Sequence, residues 1–132
     1  MIRIARSLAL LASVTASACY TGPSVGSFPP AMSGHGIEGT VHLDHTRLAG
    51  ELLDASDSGY VLLSDRAIFY TPYIAVKSAG FSGVGSHRDG RPDPEMLERL
   101  RLVSRFPKGI TPAMLQALLA DLRQTKVEVI TQ

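Results

Sequence analysis

The feature that most constrains the fold is a set of three apolar runs of strand length within residues 47–81. The runs are residues 48–55, 60–63 and 67–73. The gaps between them read SDSG and SDR, and these residue types favour tight turns. Short β-rich runs separated by turn clusters are typical of antiparallel hairpins. The stretch therefore predicts a meander of antiparallel strands.

The sequence predicts five strands followed by helices, which is an α+β fold. The strands are expected at residues 37–43, 48–53, 60–63, 67–71 and 74–79. Pro72 has no N–H to donate to a strand ladder, so it should end the fourth strand. Gly50 indicates a bulge or sharp bend, a feature that lets a small sheet curl.

Three short motifs in this region occur in the order found in small SH3-like barrels. They are Gly50-Glu51-Leu52, Asp57-Ser58-Gly59-Tyr60 and Pro72-Tyr73-Ile74-Ala75-Val76. The chain resembles these barrels, and in particular their Sm-like arrangement, which implies a five-stranded, strongly bent sheet able to pair edge strands. The Arg-Gly pair with which Sm proteins contact RNA has no counterpart after the fourth strand. From Cys19 onward the chain has eleven basic and twelve acidic residues, so we expect no nucleic-acid binding.

Two helices are predicted after the strands. Asp93-Pro94 and Thr111-Pro112 each combine an N-cap residue with proline at the first helical position. The second helix carries an apolar stripe with helical spacing. Its members are Leu115, Leu118, Leu119 and Leu122. The stripe is expected to complete the core of the sheet. Alternatively, it is a candidate interaction surface for a protein partner or a second copy of the chain.

The N-terminal residues have the layout of a secretory signal peptide. Arg3 and Arg6 precede an apolar run at residues 8–14, and small residues follow at 15–18. The predicted organisation is a signal peptide at residues 1–18, a lipid attachment site and flexible linker at 19–36, and a barrel plus two helices at 37–132. The linker prediction comes from its Gly, Pro and Ser content.

Cys19, the only cysteine, directly follows Ala16-Ser17-Ala18. This stretch resembles the lipobox of bacterial lipoproteins, although that family usually has Leu at the position of Ala16. The resemblance implies acylation of the Cys19 thiol, and Tyr20 after it implies the outer membrane of a Gram-negative cell, facing the periplasm. Several acyl chains on one residue would anchor the protein firmly to a membrane. The same residues also fit ordinary cleavage after Ala18, and this alternative stays open.

Three functions remain open from the sequence. The first is a non-enzymatic scaffold or interaction module of the cell envelope, with no catalytic residue and no cofactor. The second is a small hydrolase or metal-dependent enzyme that uses the loop Ser82–Asp89 with His42 or His45. It requires Ser82 or Ser86 within hydrogen-bond reach of a histidine. The third is a ligand-binding lipoprotein with an apolar pocket between sheet and helices.

Metal binding is not expected at either candidate cluster. The stretch from Asp54 to Asp65 has the spacing of a calcium loop, but serine stands where stronger oxygen ligands belong. His42 and His45 lie three residues apart, so on a strand their side chains would point to opposite faces. Both clusters fit ordinary turns and strand ends better.

Overall fold

A computed structural model describes residues 35–132 of the chain. This part is an α+β fold with one seven-stranded sheet and two α-helices. The strands are β1 (Glu38–His42), β2 (Arg47–Ala55), β3 (Gly59–Ser64), β4 (Ala67–Pro72), β5 (Ser78–Phe81), β6 (Gly85–Arg88) and β7 (Glu128–Val129). The helices are α1 (Pro94–Val103) and α2 (Pro112–Asp121). Cys19, the predicted signal peptide and most of the predicted linker lie outside the described residues.

The sheet is open, with the strand order β6-β5-β1-β2-β3-β4-β7. Among the strands of residues 35–132, five pairings are antiparallel, and the pairing of β7 with β4 is parallel. The predicted closed five-stranded barrel is therefore not confirmed. The prediction of an α+β meander of antiparallel strands is confirmed.

The open sheet carries a separate core on each face. On one face, α1 places Leu97 and Leu100 against a cluster that includes Tyr60 and Leu62. On the other face, Leu118 of α2 and Phe106, which lies between the two helices, pack against Leu53 and Ile68 of the strands. Burial of both faces explains why β3 contains an unbroken apolar run, at residues 60–63.

The chain turns sharply after β4. Tyr73–Ala75 forms a 3-10 turn, and the Tyr73 hydroxyl donates to the carbonyl oxygen of Ser56 at 2.6 Å. The Tyr73 ring meets the Tyr60 ring edge to face, with 4.9 Å between their centroids. These contacts draw Tyr73 into the core, so the strand predicted at residues 74–79 was wrong in position. The strand found there is β5, at Ser78–Phe81.

Both helix starts predicted from the sequence are confirmed. The Asp93 side chain accepts from the Met96 N–H at 2.9 Å, and the Thr111 side chain accepts from the Met114 N–H at 3.2 Å. Each cap satisfies one of the N–H groups that a first helical turn leaves without a partner.

The segment between the helices is fixed to β2. The N–H groups of Arg105 and Phe106 donate to the carbonyl oxygens of Leu52 and Leu53, both at 3.0 Å. The Arg105 guanidinium also makes a two-pronged ion pair with Glu51, through bonds of 2.7 and 2.5 Å. Both side chains are about nine-tenths buried. The same Glu51 carboxylate accepts from the Gly36 N–H at 2.6 Å.

Candidate binding groove

A β-bulge in β2 creates the main candidate site. Leu52 pairs with Leu62 of β3, and Asp54 pairs with the next residue back, Val61, so Leu53 is an extra residue. An extra residue bends a strand and re-aims the side chains beside it. Leu53 and Asp54 consequently contribute to the same side of the sheet, where Leu53 joins the core under α2.

Asp54 lies in a groove of about 300 Å³ between α2 and the part of the sheet that ends in the edge strand β7. The groove is bounded by side chains from the strands, the helix and the segments that flank them. They are Asp54, Val61, Tyr70, Ile110, Leu115, Val127 and Val129. Five of these seven residues are aliphatic, so the groove is an apolar surface with one carboxyl group.

The surroundings of Asp54 disfavour its charge. Burial raises the pKa of Asp54 above its ordinary value of 3.8, and this effect outweighs three opposing ones. The backbone N–H groups of Ile110 and Ala55 and the positive charge of Arg101 lower the pKa. A carboxyl group that is costly to ionise gains from a ligand group that donates a hydrogen bond or carries positive charge.

The predicted Leu stripe of α2 faces the sheet. Leu118 is buried, and the other three members are partly buried against the same core. Leu115 also lines the groove. The stripe thus completes a core, as one of the two sequence interpretations expected, and its most N-terminal member adds a wall to the candidate site. Contact of the stripe with a partner or a second copy stays a prediction.

The loop Ser82–Asp89 is largely a hairpin, and it contains the strand β6, which sequence reasoning did not find. Ser86 and His87 are neighbours on β6, so their side chains point to opposite faces of the sheet. Within residues 35–132, neither Ser82 nor Ser86 is hydrogen-bonded to a histidine. The contact that the hydrolase hypothesis requires is therefore not formed there.

His87 instead belongs to a buried aromatic cluster. Its Nε2 atom lies 2.6 Å from the hydroxyl oxygen of Tyr60, and its ring also lies near that of Tyr60. Burial lowers the pKa of His87, and it raises the pKa of Tyr60. The neutral forms of both side chains are favoured, so the contact joins a neutral imidazole and a neutral phenol.

The residues considered for metal binding are not brought together. Asp57 pairs with Arg101 and Arg91 in ion pairs, while Asp54 faces the groove. The Ser56 hydroxyl accepts from the N–H groups of Ser58 and Gly59, which makes this segment an ordinary turn. No group of three or more metal-ligating side chains occurs in the described part of the chain.

Comparisons of the chain with protein-family models, with curated proteins and with solved structures found no match. Neither helix of the described part is long and apolar enough to cross a bilayer.

The groove itself had one signal in the sequence: the pair Leu52-Leu53 breaks the alternation of β2 directly before Asp54. Such a break is typical of a bulge or of a strand buried on both faces.

Proposed function

We propose that this protein is a lipid-anchored, non-enzymatic binding module of the outer membrane, facing the periplasm, and that it binds its ligand in the groove around Asp54. The observation that carries the binding role is an apolar groove with a single carboxyl group of raised pKa. Ligand sites are typically concave and mostly apolar, with a few polar groups that orient the ligand.

The ligand class follows from the lining of the groove. Aliphatic walls from Val61, Leu115 and Val127 favour a hydrocarbon chain or another apolar body. Asp54 favours a ligand end that donates a hydrogen bond or carries positive charge. The volume of about 300 Å³ lies at the lower end of the range for ligand pockets, so the bound part is small.

The anchor half of the proposal is supported by the chain's single cysteine and the signal-like residues before it. A lone thiol in an exported chain has no disulfide partner within that chain, and acylation gives it a role. The interaction role is supported by one exposed apolar side chain at the groove, that of Val129, which is 62% exposed.

The binding role is tested with ligands of equal chain length and different head groups. Decylamine, decanol and decanoate are titrated, below their micelle concentrations, into the full chain carrying Cys19→Ser. We expect decylamine and decanol to bind and decanoate to bind more weakly, because a carboxylate is repelled by Asp54. Equal binding of all three ligands, or no binding of any, would contradict the proposal.

A matched pair of variants locates the binding. Val129→Trp fills the groove from β7, whereas Leu102→Trp adds the same side chain on α1, where Leu102 is 67% exposed. Both positions are largely exposed, so both variants should fold. Val129→Trp should weaken decylamine binding and Leu102→Trp should not. Equal effects of the two changes would show that the ligand binds elsewhere.

The anchor is tested separately by labelling cells with radioactive palmitate and separating the membrane fraction. The wild-type chain should carry label and sediment with outer membranes, and Cys19→Ser should lose both properties. A Cys19→Ser chain that stays in the membrane fraction would refute the anchor without affecting the groove.

A further inference from the structure

The sheet face that α2 covers at one end is left open at the other. Over β1, β5 and β6 no helix lies on this face, and the residues that face outward are small or polar. They are Thr40, His42, Ser78, Gly80, Ser86 and Arg88. They line a second groove, of about 380 Å³, distinct from the one around Asp54.

The strand register arranges these residues in two rows across the sheet. One row crosses four strands in the order Arg47, His42, Ser78 and Arg88, and we name it the arginine row. The second row runs Thr40, Gly80 and Ser86. Gly80 has no side chain, and a Cβ placed there would meet only Ser86, at 3.8 Å. Because Gly80 has no side chain, a depression lies between the hydroxyl groups of Thr40 and Ser86.

Most other arginines of the described domain form an ion pair with a carboxylate, and the two arginines of this row do not. Arg91, Arg99, Arg101 and Arg105 are each in an ion pair with a carboxylate. Arg47 and Arg88 form no such pair within residues 35–132, and both are exposed.

The acidic residues that follow the row most closely in the chain are Asp44, two residues after His42, and Asp89, directly after Arg88, and neither forms an ion pair with Arg47 or Arg88 within residues 35–132. The acidic side chain on the same face of β1 is Glu38, which stands four residues before His42. Asp44 is paired with Lys77 at 3.5 Å.

The two arginines of the row lie on strands that are three strand spacings apart. Strands in a sheet lie about 4.8 Å apart, so the strands of Arg47 and Arg88 are separated by about 14 Å. Arginine side chains are long enough to converge from that separation on one ligand.

We propose that the arginine row, together with the Thr40 and Ser86 hydroxyls, is a binding site for a ligand that carries a phosphate group. Guanidinium groups bind phosphate oxygens through paired, charge-assisted hydrogen bonds. The Ser78 hydroxyl and the His42 imidazole add further donors between the two arginines, and the Thr40 and Ser86 hydroxyls lie in the neighbouring row. This site is independent of the groove around Asp54.

The experiment uses the full chain with Cys19→Ser, so that acylation plays no part. Glycerol 3-phosphate is titrated and followed by NMR. Flotation with phosphatidylglycerol vesicles is compared with flotation with phosphatidylcholine vesicles. Saturable binding of glycerol 3-phosphate that shifts the amide signals of β5 and β6 supports a soluble phosphate ligand. Flotation with phosphatidylglycerol alone supports a lipid headgroup. Binding to neither probe, or equal flotation with both vesicle types, overturns the proposal.

Two double variants remove the same amount of charge from different places. Arg47→Gln/Arg88→Gln removes both arginines of the row, and Lys108→Gln/Lys126→Gln removes two exposed lysines outside it. Loss of one charge-assisted hydrogen bond costs about 1.5–3 kcal/mol. The arginine variant should therefore bind at least about tenfold more weakly, and the lysine variant should bind like the parent chain. If both variants weakened binding equally, the weaker binding would result from the lower net charge and not from loss of the arginine row. That result would overturn the proposal.

Discussion

Removal of the Arg105 guanidinium should strongly destabilise the fold. Arg105→Met keeps the aliphatic stem but leaves the Glu51 carboxylate, whose side chain is 10% exposed, with the Gly36 N–H as its remaining bond. Breaking one partner of a buried ion pair costs about 3–5 kcal/mol, because the other charge stays buried without compensation. In a domain of about 100 residues each kcal/mol lowers Tm by about 4–8 °C. We therefore expect Tm to fall by at least about 12 °C.

The assay is thermal and urea unfolding followed by circular dichroism, since the chain contains no tryptophan. Glu51→Gln/Arg105→Met provides the decisive comparison, because glutamine can still accept from the Gly36 N–H without a buried charge. The double variant should recover at least about 2 kcal/mol of the loss. As a control, Asp44→Ala breaks an ion pair whose side chains are 54% and 55% exposed, and it should cost less than about 1 kcal/mol. A loss below about 1 kcal/mol for Arg105→Met, or additive losses in the double variant, would refute the reasoning.

Three further changes test other parts of the fold. Burial lowers the pKa of His87 below its ordinary value of 6.5. Below about pH 6.5 the unfolded state therefore binds more protons at this histidine than the folded state does. The urea midpoint of the parent chain should fall as the pH drops through about 6.5 toward the folded-state pKa of His87. The midpoint of His87→Gln should fall less over the same pH range. Burial raises the pKa of Asp54, so its ionised form is disfavoured and Asp54→Asn should raise the urea midpoint at pH 7. Leu118→Ala should cost about 2–5 kcal/mol in urea unfolding, since Leu118 is 1% exposed.

The helix starts were predictable from the sequence because their chemistry is local. Asp93 and Thr111 each bond to an N–H group three residues ahead, and neither bond needs any distant part of the chain. The hairpin turn at Ser56 was predictable for the same reason, because the serine hydroxyl bonds to groups within three residues.

The extent of the sheet was not predictable in the same way. A small closed barrel and an open sheet covered on both faces can both contain strands with consecutive apolar residues, such as Leu62-Leu63. The difference depends on where α1 and α2 pack, which is a long-range property. β6 was missed because Gly85–Arg88 has no apolar alternation, and only its pairing with β5 identifies it as a strand.

The candidate groove was expected only as one of three functional alternatives, and its carboxyl group was first considered as a calcium ligand. The spacing of Asp54, Asp57 and Asp65 suggested a shared loop, yet the bulge at Leu53 directs Asp54 into the groove, while Asp57 pairs with arginines. Pairing register, which the sequence does not display, therefore decided the role of each aspartate.

One inserted residue in β2 links the stability of the domain to its candidate site. The bulge places Asp54 beside apolar walls, where burial raises its pKa. On the same stretch of strand, the carbonyl oxygens of Leu52 and Leu53 accept from Arg105 and Phe106. These bonds fix the segment that leads to Ile110, whose backbone N–H lowers the pKa of the Asp54 carboxyl. A change that loosens the segment would therefore alter both the shape of the groove and the pKa of Asp54.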